Sequence, residues 1–165
     1  MNARDPAVPT LRVQGLSKQF TLHQRQDVRL PVFEAVELTA YAGEAVALTG
    51  RSGCGKSTLM RCLYGNYLPS AGRIEVRHRG AWLDLARADP REIVQARRDS
   101  IGYVSQFLRV IPRVPTLDLV AEPLRRGGAG LAAAREQAAH WLARLNLPRR
   151  LWPLPPATFS GGEQQ

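Results

Sequence analysis

The sequence predicts an α/β fold whose front half is built on strands and whose back half is helical. Three observations carry that reading. A short apolar run, Ala45-Val46-Ala47-Leu48-Thr49, sits between turn signals and leads straight into a glycine-rich loop. Ahead of it, Leu11 to Val13 and Val32 to Ala40 have strand character. Beyond Thr116 the pattern changes to helix caps and a 3.6-residue apolar stripe.

Taken in order, Leu11 to Val13 reads as a strand, and Val32, Ala35-Val36, Leu38 and Ala40 give the second strand a loose alternation. Ala42-Gly43-Glu44 is a turn. The almost wholly apolar Ala45 to Thr49 suits a strand covered on both faces of a parallel sheet. Ser57 to Tyr64 reads as a helix closed near Gly65. Pro69-Ser70-Ala71-Gly72 turns the chain into a hairpin of Arg73 to Arg77 and Ala81 to Leu85 around Gly80. Arg91 to Arg98 is helical, with Asp89 as cap and Pro90 at the first helical position. Ile101 to Val104 is another short strand. Thr116 caps a helix starting at Leu117, with Asp118 near its positive end and Pro123 bending or ending it. Leu131 to Leu145 is the clearest amphipathic helix, with Leu131, Ala134, Ala138, Trp141, Leu142 and Leu145 on one stripe.

The 165 residues suffice for one domain, and 44% hydrophobic with 22% charged residues is a globular composition. No apolar run approaches the roughly 18 residues that cross a bilayer. The opening Met1 to Val13 places charge and proline where a secretory signal needs an apolar stretch. A cytoplasmic protein is the expectation. Two cysteines, Cys54 and Cys62, make neither a disulfide framework nor a four-ligand zinc site. The net charge is +9, from 23 basic and 14 acidic residues. Only Lys18 and Lys56 are lysine. The arginines fall in ones and twos without interleaved aromatics, which argues for phosphate affinity and against a nucleic-acid partner.

Gly50-Arg51-Ser52-Gly53-Cys54-Gly55-Lys56-Ser57-Thr58 fits the phosphate-loop pattern of Gly, four residues, Gly-Lys, then Ser or Thr. Glycines let successive backbone N–H groups turn inward around a diphosphate. The helix that follows presents its free amides and positive dipole end to the same anion. The Lys56 ammonium reaches the outer phosphates, and the Ser57 hydroxyl completes the shell of a magnesium ion that shares the phosphate oxygens. Cys54 reads as a small residue that fits the loop, with a redox role as the alternative. His23, His78 and His140 form no ligand pair. Trp82, Trp141 and Trp152 read as packing residues.

Two more elements accompany this loop: Ile101-Gly102-Tyr103-Val104-Ser105-Gln106, a strand ending in glutamine, and Phe159-Ser160-Gly161-Gly162-Glu163-Gln164. In that order the three resemble the ATPase domain of the ABC superfamily. The resemblance implies a P-loop NTPase fold with a RecA-like core, an N-terminal antiparallel β subdomain and a helical subdomain. Residues 1–165 then form one partial domain, with the β and RecA-like part over about 10–105 and the helical part over about 106–165. It implies ATP and Mg2+ as cofactors and a head-to-tail dimer with a second ATPase protomer. It assigns Phe20 to stacking on adenine (a core filler is the alternative) and Gln106 to the magnesium ion and attacking water. Ser160, Gly161 and Gly162 become the signature loop over the partner's bound γ-phosphate. Glu163 stands where many members have glutamine.

Within the superfamily, His23-Gln24, Val28 to Val32, Leu63 to Pro69, Ser105 to Arg113 and the Phe159 to Gln165 ending are similar to the PhnL family. Members of that family are ATP-binding subunits of the bacterial carbon–phosphorus lyase system for phosphonate breakdown. This resemblance implies the core subunits of that system as partners, with docking near Gln106 to Arg113. The alternative is the ATPase of a membrane exporter or lipoprotein-release system with transmembrane permease subunits. A third reading is a non-catalytic fragment with a binding role only. The apolar strand ending in Asp-Glu, the Walker B glutamate it carries and the switch histidine are absent from these 165 residues. The expectation is therefore a truncated chain that binds ATP without efficient hydrolysis. Its central sheet would have a gap, with exposed apolar edges at Ala45 to Thr49 and Ile101 to Val104, and its signature helix would be too short to form.

Overall fold

A computed structural model describes residues 8–22, 28–105 and 111–164. The chain divides into two compact units, Met1–Tyr103 and Val104–Gln165.

The first unit is organised by an antiparallel sheet in the order β2-β1-β3-β4, from β1 (Pro9–Leu22), β2 (Val28–Tyr41), β3 (Ala71–His78) and β4 (Ala81–Asp84). Strand β1 runs far beyond the expected Leu11 to Val13. Bulges hide its periodicity: the register against β2 shifts between Val13 and Leu16 and again between Leu16 and Lys18. Side chains replace the lost ladder bonds there. The Gly15 N–H donates to Glu37 Oε1 at 2.6 Å, and the Ala35 N–H, on a residue with φ 48°, donates to Ser17 Oγ at 2.9 Å.

One face of this sheet supplies Val13, Leu16, Ile74 and Val76 to a core completed by Leu59 and Cys62 of α1 (Lys56–Leu63), Leu85, and Ala96 of α2 (Pro90–Asp99). Helix α2 starts where its sequence implies. Asp89 accepts from the Arg91 N–H at 2.8 Å, while the Asp89 N–H donates to Glu92 at 2.9 Å, a reciprocal capping box ahead of Pro90. The Arg97 guanidinium donates to the Tyr64 carbonyl and to Asn66 Oδ1, both at 2.9 Å, and so ties α2 to the end of α1.

Two expected strands do not form. Ala45 to Thr49 and Ile101 to Val104 carry no strand pairing among the described residues. Apolar character nominates a strand, but only a neighbour's backbone makes one. Leu48 and Ile101 still pack against the core, whereas Val46 is 44% and Val104 96% exposed.

The second unit pairs α3 (Thr116–Arg126) with α4 (Leu131–Arg144) over Ala121, Ala134 and Ala138, all fully buried. Alanines let the two backbones approach closely. The wide stripe expected on α4 is therefore only partly used: Ala134, Ala138 and Leu142 are buried, while Leu131, Trp141 and Leu145 stay exposed. Thr116 is not the cap. Pro115 holds that position, and the Thr116 hydroxyl donates to the Leu154 carbonyl at 2.8 Å. Pro123 lies inside α3 without ending it. The tail makes 3-10 turns at Arg149–Leu151 and Pro156–Thr158, and then the single turn α5 (Gly161–Gln164).

Candidate nucleotide-binding site

Strand β2 sets the floor of the glycine loop. A Cβ on Gly55 would lie 2.9 Å from Val32 Cγ1 and 3.3 Å from Phe33 Cδ1, and Gly55 has φ 97°. Both the crowding and the left-handed backbone demand glycine there. At Gly50, with φ 142°, a Cβ would meet Cys54 Sγ at 2.9 Å. The loop is thus wound so tightly that side chains at these points would fill the cradle.

Gly55 is also the N-cap of α1. It provides no side-chain cap, and the first turn holds no acidic residue. The opening amides of α1 are left for another acceptor. Above them the Lys56 ammonium donates to the Gly50 carbonyl at 2.7 Å and the Arg51 carbonyl at 2.8 Å, and lies 3.6 Å from Cys54 Sγ. Arg51, Ser52, Gly53 and Ser57 are exposed, with Thr58 half-buried behind them. Free amides at a helix start, a lysine ammonium and hydroxyls make a donor set for an anionic phosphate chain, so these residues fit a nucleotide.

The two thiols differ. Cys54 is exposed at the loop, while Cys62 is fully buried on the far side of α1. Burial pushes the Cys62 thiol up, partly offset by the charge of Lys18.

Phe20 stands half-buried near the end of β1, its ring edge-on to Tyr67 at 5.5 Å. The Lys18 ammonium sits 4.8 Å from the Phe20 centroid, and Arg61 of α1 donates to the Tyr67 hydroxyl at 2.8 Å. The sequence reading singled out Phe20 alone. Tyr67 and Lys18 belong to the same cluster, and no spacing rule marks them because β1 and the segment after α1 meet only in the fold. Gln106 lies outside the described residues.

Ser160, Gly161 and Gly162 open the one-turn α5 of the second unit. A single carboxylate oxygen, Glu163 Oε2, accepts from the Ser160 N–H at 3.0 Å and from the Ser160 hydroxyl at 2.7 Å. The Gln164 N–H returns to the Ser160 carbonyl, and the Gln164 amide donates to the Phe159 carbonyl, both at 3.0 Å. Expectation fails here: the turn forms despite its length because the serine–glutamate pair satisfies its first donors. Ser160's hydroxyl, then its N–H, hold the Glu163 carboxyl below its ordinary value, helped by the charge of Arg150. Among the described residues no helix is long and apolar enough to cross a membrane.

Comparison with known proteins places this geometry in a family. The family model "ABC transporter" matches residues 33–165. The lipoprotein-releasing system ATP-binding protein LolD of Xanthomonas oryzae pv. oryzae (strain MAFF 311018) is 33% identical over 163 residues, covering 98% of this chain and 63% of that protein. LolD of Ruegeria sp. (strain TM1040) is 36% identical over 156 residues, covering 94% of this chain and 66% of that protein. The chain thus spans somewhat under two thirds of the length of these relatives. Among solved structures, the ATP-binding cassette MJ0796 in a dimeric post-hydrolysis state bound to ADP and Pi is 27% identical with a TM-score of 0.79, covering 93% of this chain and 65% of that one. A second dimeric structure of MJ0796, described as a bacterial ABC transporter cassette, gives a TM-score of 0.80.

These findings overturn the PhnL resemblance and, with it, the phosphonate and carbon–phosphorus lyase function and partners. The segments that suggested it, such as Leu63 to Pro69, are short, whereas the likeness to LolD runs through nearly the whole chain. The fold is the RecA-like ATP-binding cassette with an N-terminal antiparallel β subdomain and a helical subdomain. ATP and Mg2+ are the cofactors of that family. A glycine cradle shaped for phosphates, a serine–glycine–glycine turn in a separate helical unit and a match over residues 33–165 converge on one conclusion: the chain belongs to the ABC transporter family, as part of its ATP-binding domain.

Proposed function

We propose that this chain is the nucleotide-binding part of an ABC ATPase that serves a lipoprotein-release system. The likeness to LolD proteins across 94 to 98% of the chain carries the choice of system. The fit of the Gly50 to Thr58 cradle to an anionic phosphate chain supports the nucleotide. In this reading residues 1–165 are one domain, with the phosphate-loop part over about 10–105 and the helical part over about 106–165.

Gly50, Arg51, Ser52, Gly53, Cys54 and Gly55 wrap the phosphates with backbone amides, and Lys56 exchanges its loop carbonyls for phosphate oxygens. Ser57 offers its hydroxyl to magnesium, and Thr58 backs the helix start. Phe20 offers a ring to the base, and Gln106 completes the metal and water contacts. Ser160, Gly161 and Gly162 face the nucleotide of a second protomer in a head-to-tail dimer, a reading supported by the dimeric state described for MJ0796. A membrane-embedded permease is the further partner, with the ATPase on the cytoplasmic side. ATP hydrolysis is the activity of the whole protein.

The test is recovery of the affinity-tagged protein from gently solubilised membranes of its own cells. A stoichiometric partner with several membrane spans is the expected result. Recovery solely with soluble proteins contradicts the reading.

A further inference from the structure

The end of β1 is tied to the segment that follows α1. The Ser70 N–H donates to the Ser17 carbonyl at 2.8 Å, the Gln19 N–H donates to Ser70 Oγ at 3.0 Å, and the Lys18 ammonium donates to the Leu68 carbonyl at 2.8 Å. Held by that last bond, the ammonium lies 4.8 Å from the centroid of the Phe20 ring and 6.0 Å from that of Tyr67. Both distances allow a cation–π attraction. The Phe20 ring is thus held by a charge whose own place is set by a backbone carbonyl.

The same residues adjoin the phosphate loop. Lys18 pairs with Phe33 across β1 and β2, and Phe33 and Val32 are the side chains that crowd Gly55. Helix α1 starts at that glycine and carries Arg61, which donates to the Tyr67 hydroxyl. A ring that turns freely must be immobilised when a base stacks on it, whereas a ring already held loses less freedom.

We infer that Lys18 is a positioning residue for the nucleotide's base: it holds the Phe20 ring in the orientation on which adenine stacks and touches no phosphate. This inference rests on the proposed role of Phe20 as the stacking ring.

Calorimetric titration with two magnesium complexes, of ATP and of inorganic tripolyphosphate, separates base from phosphates, because tripolyphosphate has the phosphate chain and no base. Lys18→Met keeps an unbranched side chain and removes the charge and the donor. It should weaken ATP binding about fivefold and leave tripolyphosphate binding unchanged. Lys18→Arg, which keeps a cation and a donor, should recover most of the loss. Phe20→Leu should also lose affinity for ATP alone, and adding Lys18→Met to it should weaken binding no further.

A merely structural role predicts that Lys18→Met weakens both ligands alike, as a damaged fold would. That result overturns the inference, as does unchanged ATP affinity in Lys18→Met while Phe20→Leu loses it; in either case the reading of Phe20 stands. Unchanged ATP affinity in Phe20→Leu overturns the stacking role of Phe20 and the role of Lys18 with it.

Discussion

At the scale of single residues, Gly55 and Lys56 show how one turn of chain becomes a receptor. Gly55 has a left-handed backbone and β2 pressed against the place where a Cβ would stand. Gly55→Ala should lower stability by about 1–3 kcal/mol, read as a shifted denaturant midpoint, and weaken nucleotide binding in parallel. Glu163 gives the pH-dependent counterpart. Its carboxyl is lowered by its contacts with Ser160, so the one-turn structure is favoured above the ordinary glutamate range and lost as pH falls through the depressed value. The Ser160 amide resonance, followed from neutral to acid pH, should move only below the range of an exposed glutamate. A transition centred on that ordinary range would show that the pair is not formed.

At the scale of elements, α3 and α4 meet through alanines and one ion pair. Arg135 Nε donates to Asp118 Oδ1 at 2.7 Å, and this bond holds the Asp118 carboxyl below its usual value. The pair is partly exposed, so Asp118→Asn should cost less than about 1 kcal/mol and the loss should fade in high salt. Its sign follows from the lowered carboxyl: the contribution is present above the ordinary aspartate range and disappears as pH falls through the folded value. Ala138→Leu acts by a different route, forcing a branched side chain into a fully buried helix contact. It should destabilise by about 1–3 kcal/mol regardless of salt, measured by thermal or denaturant unfolding.

Elements also show what was readable in the chain. Helix α2 was legible because Asp89, Pro90 and Glu92 write a complete start signal within four residues. The phosphate loop was legible for the same reason, its requirements being local. Ala45 to Thr49 was misread as a strand because pairing is a property of two segments and sequence displays one at a time. Thr116 was misread as a cap because its tail carbonyl partner, Leu154, is 38 residues away. The Ser160-to-Glu163 turn forms against its length because a serine and a glutamate three residues apart satisfy its first donors. The system served was not legible, because segments as short as Leu63 to Pro69 carry too little to choose between relatives, while the likeness to LolD spans 94 to 98% of the chain.

For the whole molecule, the core under the antiparallel sheet is where stability concentrates. Leu16 and Ile74 are fully buried at its centre. Leu16→Ala should cost about 2–5 kcal/mol in a urea titration, whereas Val104→Ser, at a site 96% exposed, should leave stability unchanged and reduce non-specific association. A large effect at Val104 would mean that this surface is covered in solution.

The claim beneath all of this is that the loop from Gly50 to Thr58 holds the phosphates of ATP. Calorimetric titration of the chain with magnesium-ATP tests it most directly. The account predicts saturable binding that Lys56→Ala weakens by about 2 kcal/mol or more, roughly thirtyfold, with the circular dichroism spectrum unchanged. Undiminished affinity in Lys56→Ala, or no heat of binding from the native chain, would contradict it.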